Sequence, residues 1–297
     1  MDDLLLLFSS VILLVVSFMI QKLYQKITVG ISGSDVRFNI YSTLFSLCVF
    51  AVSGGLHIDV SLFSVINALL KAVCGLLYLL IGFKILARGN VALYMLFLMS
   101  GGMVVPCVFG WLFLGEKATF LTVLGACTIL FSVVLANSGA KRPDKKLLIL
   151  CVSVFILNGF VSVFSKLHQI GAQYGYDAVD TSSYALISTI FSLAMSCGLL
   201  FRKKENKDEV IGDNAATKKS VLIPILIVLA YSIAGSVSSL FQLEGAKNLP
   251  ASVLYPVITG GSIALSAVFG MILFKEHLTK RAWLGIILCF AGTCMFV

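Results

Sequence analysis

Apolar residues run along this chain in long blocks, and short polar or charged segments separate them. The blocks do not alternate at the period of two expected for half-buried strands. Their length matches the roughly 17–25 residues that carry an α-helix across a hydrocarbon core. Ten spans are predicted, over residues 4–23, 39–56, 62–86, 91–114 and 119–138, then 147–171, 180–201, 220–243, 251–274 and 280–297. Connections are short except the polar stretch 25–38 and the charged loop 202–219. Asp2 and Asp3 stand where a cleaved secretory leader carries basic residues, so the first block reads as a span. The expected fold class is an all-α integral membrane protein with ten transmembrane helices.

The pattern occurs twice. Ser42-Thr43-Leu44-Phe45-Ser46-Leu47 returns as Ser188-Thr189-Ile190-Phe191-Ser192-Leu193, and Lys22-Leu23-Tyr24-Gln25 as Lys166-Leu167-His168-Gln169. Gly82 pairs with Gly245 and Gly125 with Gly285, at a larger shift that one insertion at the 202–219 loop explains. The expected halves are residues 1–138 and 139–297, five helices each. An odd number of spans per half makes the second enter the membrane inverted relative to the first. Such paired halves form a site at their interface that can open to either side.

Charge placement agrees with inversion. Lys and Arg gather at the odd-numbered loops and the span ends beside them. The even-numbered loops and the termini hold only Lys117 and Lys247. Basic loops stay cytoplasmic, which predicts that both termini are external. The net charge of +8 is then a topology signal and a contact with anionic headgroups, and it implies no nucleic acid. The expected location is a plasma membrane, that of a bacterium.

Composition narrows the class further. Hydrophobic residues make up 59% of the chain and charged residues 12%, against about 25% charged in soluble domains. The 8 cysteines all fall within predicted spans and form no C-x-x-C pair, so neither a disulfide framework nor a zinc site is indicated. The 3 histidines sit at different span ends, and no P-loop is present to drive transport by nucleotide hydrolysis. No cofactor, metal or catalytic set is expected.

Residues at the end of each half carry a family resemblance. Leu114, Gly115, Glu116 and Thr119 precede Gly125; Glu276 and Thr279 precede Gly285 and Gly292, with Lys275 in place of the first copy's glycine. Together with Phe18-x-x-x-Lys22, this pattern is similar to EamA-type proteins of the drug/metabolite transporter superfamily, over essentially the whole chain. The resemblance implies ten helices in two inverted repeats around a central cavity that moves small metabolites. Members commonly keep the N-terminus inside; the loop charges here place it outside, and the charges are followed. Span one has no acidic residue, so it lacks the carboxylate with which the superfamily's small four-span members take up cationic drugs. That argues against polycation export.

Several residues are candidates for the site. Lys71 lies deep in span three, about 20 Å of helix from Lys84 at ~1.5 Å per residue. A charge at that depth faces a wet cavity or a partner and is a functional hypothesis by default. Asn67 sits one turn earlier on the same face. Tyr94 with Gly101-Gly102, and Tyr255 with Gly260-Gly261, recur in spans four and nine, with Pro106 and Pro256 loosening the helix ladder there. Asn158 in span six is a further pocket candidate. Glu116 with Thr119, and Glu276 with Thr279, read as structural motifs in which Thr caps the following helix and Glu complements its dipole. Lys22 and Lys166 are expected to snorkel to the interface, or to guard the cavity mouths. Glu244 is expected to pair with Lys247.

The function expected is a secondary transporter of a small polar or anionic metabolite working by alternating access, with membrane lipids around it and a coupling proton or ion. The alternatives are a lipid-linked flippase, an intramembrane enzyme, or a channel or scaffold.

Overall fold

In the computed structural model, residues 3–28, 34–86, 91–136, 145–204, 222–274 and 280–296 are described. They form ten α-helices and no strand. These are α1 (Asp3–Ile27), α2 (Ser34–Ser53), α3 (Leu62–Leu86), α4 (Val91–Phe113), α5 (Phe120–Ala136), α6 (Lys145–Ile170), α7 (Thr181–Lys204), α8 (Leu222–Asn248), α9 (Ala251–Phe274) and α10 (Lys280–Cys294). A single 3-10 turn, Gly171–Tyr174, follows α6. The prediction differs chiefly at α2, which begins at Ser34, inside the segment expected to be a loop. Most of the charged loop 202–219 lies outside the described residues; its first part continues α7 to Lys204.

Helices are the elements that satisfy every backbone group within one segment, and hydrocarbon supplies no other partner. Five of them (α1, α3, α6, α8 and α9) contain apolar windows long enough to cross a bilayer, and shorter apolar stretches lie in α2, α4, α5 and α10. Large apolar side chains point outward from the bundle, such as Phe120, Leu112 and Phe290. Small residues and serines occupy the crossings. Gly125 on α5 meets the backbone of Gly292 on α10, and a side chain at either position would collide with the other helix. Without a hydrophobic force between helices in lipid, such close backbone approach supplies the packing energy.

The helix pairings obey a rule. α1 packs on α8 as α3 packs on α6; α4 packs on α6 as α1 packs on α9; α2 packs on α8 as α3 packs on α7. Each pairing maps onto its counterpart when helices of the first five are exchanged for those of the second five. α2 with α7, α4 with α9, and α5 with α10 pair across the middle. Bonds between Asp59 and Ser183, Ser61 and Asp177, Gln173 and Lys247, and Glu116 and Ala251 gather the even-numbered loops at one face of the bundle, called the even-loop side; the opposite end of the helices is the odd-loop side.

The turn after α4 explains the Leu-Gly-Glu motif. Gly115 adopts a left-handed conformation, φ 67°, and the Glu116 N–H donates back to the Gly110 carbonyl at 3.1 Å. This is a Schellman-type helix ending, for which glycine is the residue without steric penalty. The reversal carries the Glu116 side chain away from α5 and onto another helix. Thr119 caps α5 as expected, its hydroxyl accepting from the Thr122 N–H at 3.2 Å.

Candidate functional site: a serine-lined cavity between the two halves

A polar cavity of about 370 Å³ lies between α1, α2, α7 and α8. α1 contributes Leu14, Ser17 and Phe18; α2 contributes Asn39, Ser42, Thr43, Ser46 and Phe50; α7 contributes Thr189 and Ser192. Tyr231, Ser232, Gly235, Ser236 and Ser239 complete it from α8. Among the described residues, no Asp, Glu, Lys or Arg lines it.

Most of these hydroxyls are already committed as donors. Ser17 donates to the Leu14 carbonyl at 2.7 Å, Ser42 and Thr43 to the Asn39 carbonyl at 3.0 and 2.7 Å, and Thr189 to Ala185 at 2.7 Å. Ser192 donates to Ser188 at 2.9 Å and Ser232 to Val228 at 2.8 Å. Serine and threonine in helices habitually turn their proton back on the preceding turn. Ser236 differs: it is 3% exposed, and its Oγ has no hydrogen-bond partner among the described residues.

Different contacts flank the cavity at its two ends. On the odd-loop side, the rings of Tyr24, Phe38 and Tyr231 form a chain with centroids 4.8 Å apart. On the even-loop side, an apolar cluster of Phe50, Ala68, Tyr184, Ala185, Leu186, Ile187 and Leu243 lies beneath the cavity. Below that runs a polar network. The Ser64 hydroxyl bonds the His168 imidazole Nε2 at 2.8 Å, and the His168 ring stacks on Tyr184 at 3.7 Å. Thr181 Oγ1 lies 3.2 Å from Gln169 Oε1 and 2.5 Å from Glu244 Oε1. Asp180 caps α7, accepting from the N–H groups of Ser182 and Ser183 at 2.9 and 3.1 Å. Partial burial pushes the Asp180 carboxyl upward, but the bonds from Ser183 and Ser182 outweigh this and hold it below its ordinary value. Among the described residues, this network ties α3, α6, α7 and α8 together on the even-loop side.

The residues singled out from the sequence fall around this cavity rather than on its wall. Lys71 belongs to the even-loop seal, with its ammonium 5.0 Å from the centroid of the Tyr184 ring. Asn67 donates to the Phe63 carbonyl at 3.0 Å on its own helix. Gly101 and Gly102 pack α4 against α6, where a side chain at Gly101 would strike the Phe155 backbone and one at Gly102 the Asn158 amide. Asn158 itself donates across that crossing to the Leu98 carbonyl at 2.8 Å. Tyr94 is buried among Ile85, Leu147, Cys151 and Val154. Tyr255 donates to the Ser162 carbonyl at 2.6 Å. Gly260 abuts Thr293, and Gly261 abuts Val11 and borders an apolar crevice between α1, α9 and α10. The paired glycines thus let helices approach closely, which is the packing role small residues have in lipid.

Three charged groups sit elsewhere than expected, or gain partners. Glu116 caps α9, not α5: its carboxylate accepts from the Ala251 N–H at 2.6 Å, the Ser252 N–H at 2.9 Å and the Ser252 hydroxyl at 2.7 Å. Lys166 does not snorkel. It is 4% exposed and donates to the carbonyls of Ala246 and Leu249 at 2.7 and 2.6 Å, at the end of α8. Anion at a helix start and cation at a helix end are the favourable dipole pairings, and here both hold the same α8–α9 hairpin. Glu244 pairs with Lys247 at 2.8 Å as expected, and also meets Thr181. Glu276 and Thr279 lie outside the described residues.

With that geometry in hand, comparison with known proteins is informative. The profile of the EamA-like transporter family matches residues 145–297, just over half of the chain. This chain belongs to the EamA-like transporter family. The family is one of membrane transporters, and an integral, multi-pass membrane protein is what the apolar helices describe. Relatives include spermidine export proteins of Yersinia enterocolitica, 36% identical over 77 residues, and of Yersinia pestis, 36% identical over 69 residues. These matches cover 26% and 23% of this chain, and 67% and 62% of the relatives. A solved crystal structure superposes over 99% of this chain and 96% of its own with a TM-score of 0.71, at 16% identity, which shows the shared fold.

Sequence reasoning alone does not single out the cavity residues. Ser42, Thr43 and Ser46, with Thr189 and Ser192, come from the very hexapeptide whose repetition marked the two halves. The signal that could have found them is polar residues recurring at matched positions inside otherwise apolar spans. Hydroxyls that can bond their own helix look cheap in a span, so they were read only as markers of duplication.

Proposed function

We propose that this family member carries a small polar metabolite across a bacterial plasma membrane by alternating access. In this reading its halves, 1–138 and 139–297, lie inverted about the serine-lined cavity. One observation carries it: segments of α2 and α7 that match each other in sequence line one polar cavity. The exchange rule of the helix pairings supports a pseudo-twofold relation. Rocking of one half against the other would thin one seal as it thickens the other. The relatives' named cargo, spermidine, is not adopted, because a polycation finds no carboxylate among the described residues of the cavity lining.

Counterflow in reconstituted vesicles tests this. Saturable accumulation of labelled solute against an internal pool of the same solute is expected, with the solute recovered unaltered. Unsaturable flux would leave a channel, and altered solute an enzyme. Imposing a pH jump on the same vesicles tests the proposed proton coupling, since an unchanged rate removes it. Orientation is tested separately. The loop charges predict that single cysteines placed at 205–219 are shielded from an impermeant thiol reagent in intact cells. Ready labelling there would invert the topology.

A further inference from the structure

The cavity has a hydrogen-bonding sign. Six of its hydroxyls spend their proton on their own helix, so what they can turn toward the interior is oxygen lone pairs. Such a wall accepts more than it donates. A carboxylate or phosphate brings acceptor oxygens to it and would also leave water without a Lys or Arg to meet it among the described lining residues. A polyamine has donors, but brings several positive charges to a lining that offers no carboxylate among the described residues. Phe18, Phe50 and Tyr231 add apolar faces. The volume, about 370 Å³, is near the lower end of the roughly 300–1,000 Å³ range of ligand pockets. Ser236 is the second, independent pointer: a hydroxyl 3% exposed, lining the cavity, with no partner among the described residues. Buried polar groups without partners are uncommon and call for an explanation.

We propose that the solute held here is an uncharged metabolite with several O–H or N–H donors beside an apolar face, the chemistry of a polyol, a monosaccharide or a nucleoside. This rests on the carrier reading above and narrows it, since it removes the anionic solutes that the sequence left open. The wall oxygens accept from the solute, Ser236 donates to one of its acceptors, and the aromatic rings cover its C–H face.

The test uses the full chain in vesicles with Ser46→Cys as a reporter on the cavity wall, its alkylation by N-ethylmaleimide followed by peptide mass. Three probe sets are compared: myo-inositol, ribose and uridine; citrate and inorganic phosphate; and spermidine. At a concentration four times Kd, a bound neutral solute is expected to slow alkylation about fivefold, the factor 1 + [L]/Kd. Adding Ser236→Ala is expected to weaken that protection. Equal or better protection by citrate, phosphate or spermidine overturns the proposal, and so does protection by none of the neutral set. Counterflow in the same vesicles separates the two claims. Protection without counterflow upholds the solute class and sinks the carrier reading. Counterflow of an anion or polyamine, with no neutral protection, does the reverse.

Discussion

Ser46→Trp is expected to lower counterflow by roughly 100-fold or more, equivalent to ~2.7 kcal/mol on the transport barrier, while the protein still inserts and folds. Ser46 projects from α2 into the cavity opposite α7 and α8. An indole buries about 150–250 Å² of surface, and the cavity of about 370 Å³ has room for it. The ring therefore takes the solute's place without displacing a packed helix. Leu124→Trp is the matched control, because Leu124 is an exposed side chain on the outer face of α5. Its rate should stay near that of the unmodified protein. If Ser46→Trp transports normally and the control does too, the serine-lined cavity is not the solute path.

The second large effect concerns stability. Lys166→Met keeps much of the side-chain length but leaves the carbonyls of Ala246 and Leu249 without their ammonium donor. Glu116→Ala strips three bonds from the start of α9. A hydrogen bond to a charged group contributes about 1.5–3 kcal/mol, so each substitution should destabilise by about 2 kcal/mol or more. In a thermal unfolding experiment that is a drop of several degrees. The two charges grip one hairpin from its two helix ends, so the double variant should lose less than the sum of the singles. Unchanged melting in both single variants would mean that water satisfies those helix ends and that the clamp contributes nothing.

This clamp also shows how a legible motif can be half understood. Gly115 ends α4 in a left-handed turn, as glycine beside a helix end suggests, and Thr119 caps α5 as its position suggests. The dipole argument for Glu116 was sound in kind. It identified an anion at a helix start but assigned it to the neighbour in sequence. The neighbour in space is α9, from the other half, and nothing local in Leu-Gly-Glu distinguishes the two. Lys166 gives the same lesson from the opposite side. A lysine at a span end can reach an interface, and only the arrival of the α8 terminus beside it makes an inward course favourable.

Lys71 and the paired glycines mark the limit of arguing from one helix at a time. Its position in the predicted span marks Lys71 as a charge in need of a partner, and the face of the Tyr184 ring lies 5.0 Å from its ammonium. Recurrence at matched positions singles out the glycines of α4 and α9 as site candidates. Their shared property is close helix contact, because what faces each is backbone or a packed side chain.

The sequence alone determined the membrane class, the ten helices and their approximate edges, and the family. These follow from block length, local capping chemistry and repeated motifs, all short-range properties of one strand of chain. Tertiary structure alone decided which serines meet and whose helix ends Glu116 and Lys166 hold. In lipid, helix surfaces are nearly alike in hydrophobicity, so partner choice rests on close packing and a few interhelical hydrogen bonds. Those depend on the rotation of each helix about its own axis, which a run of apolar letters does not encode.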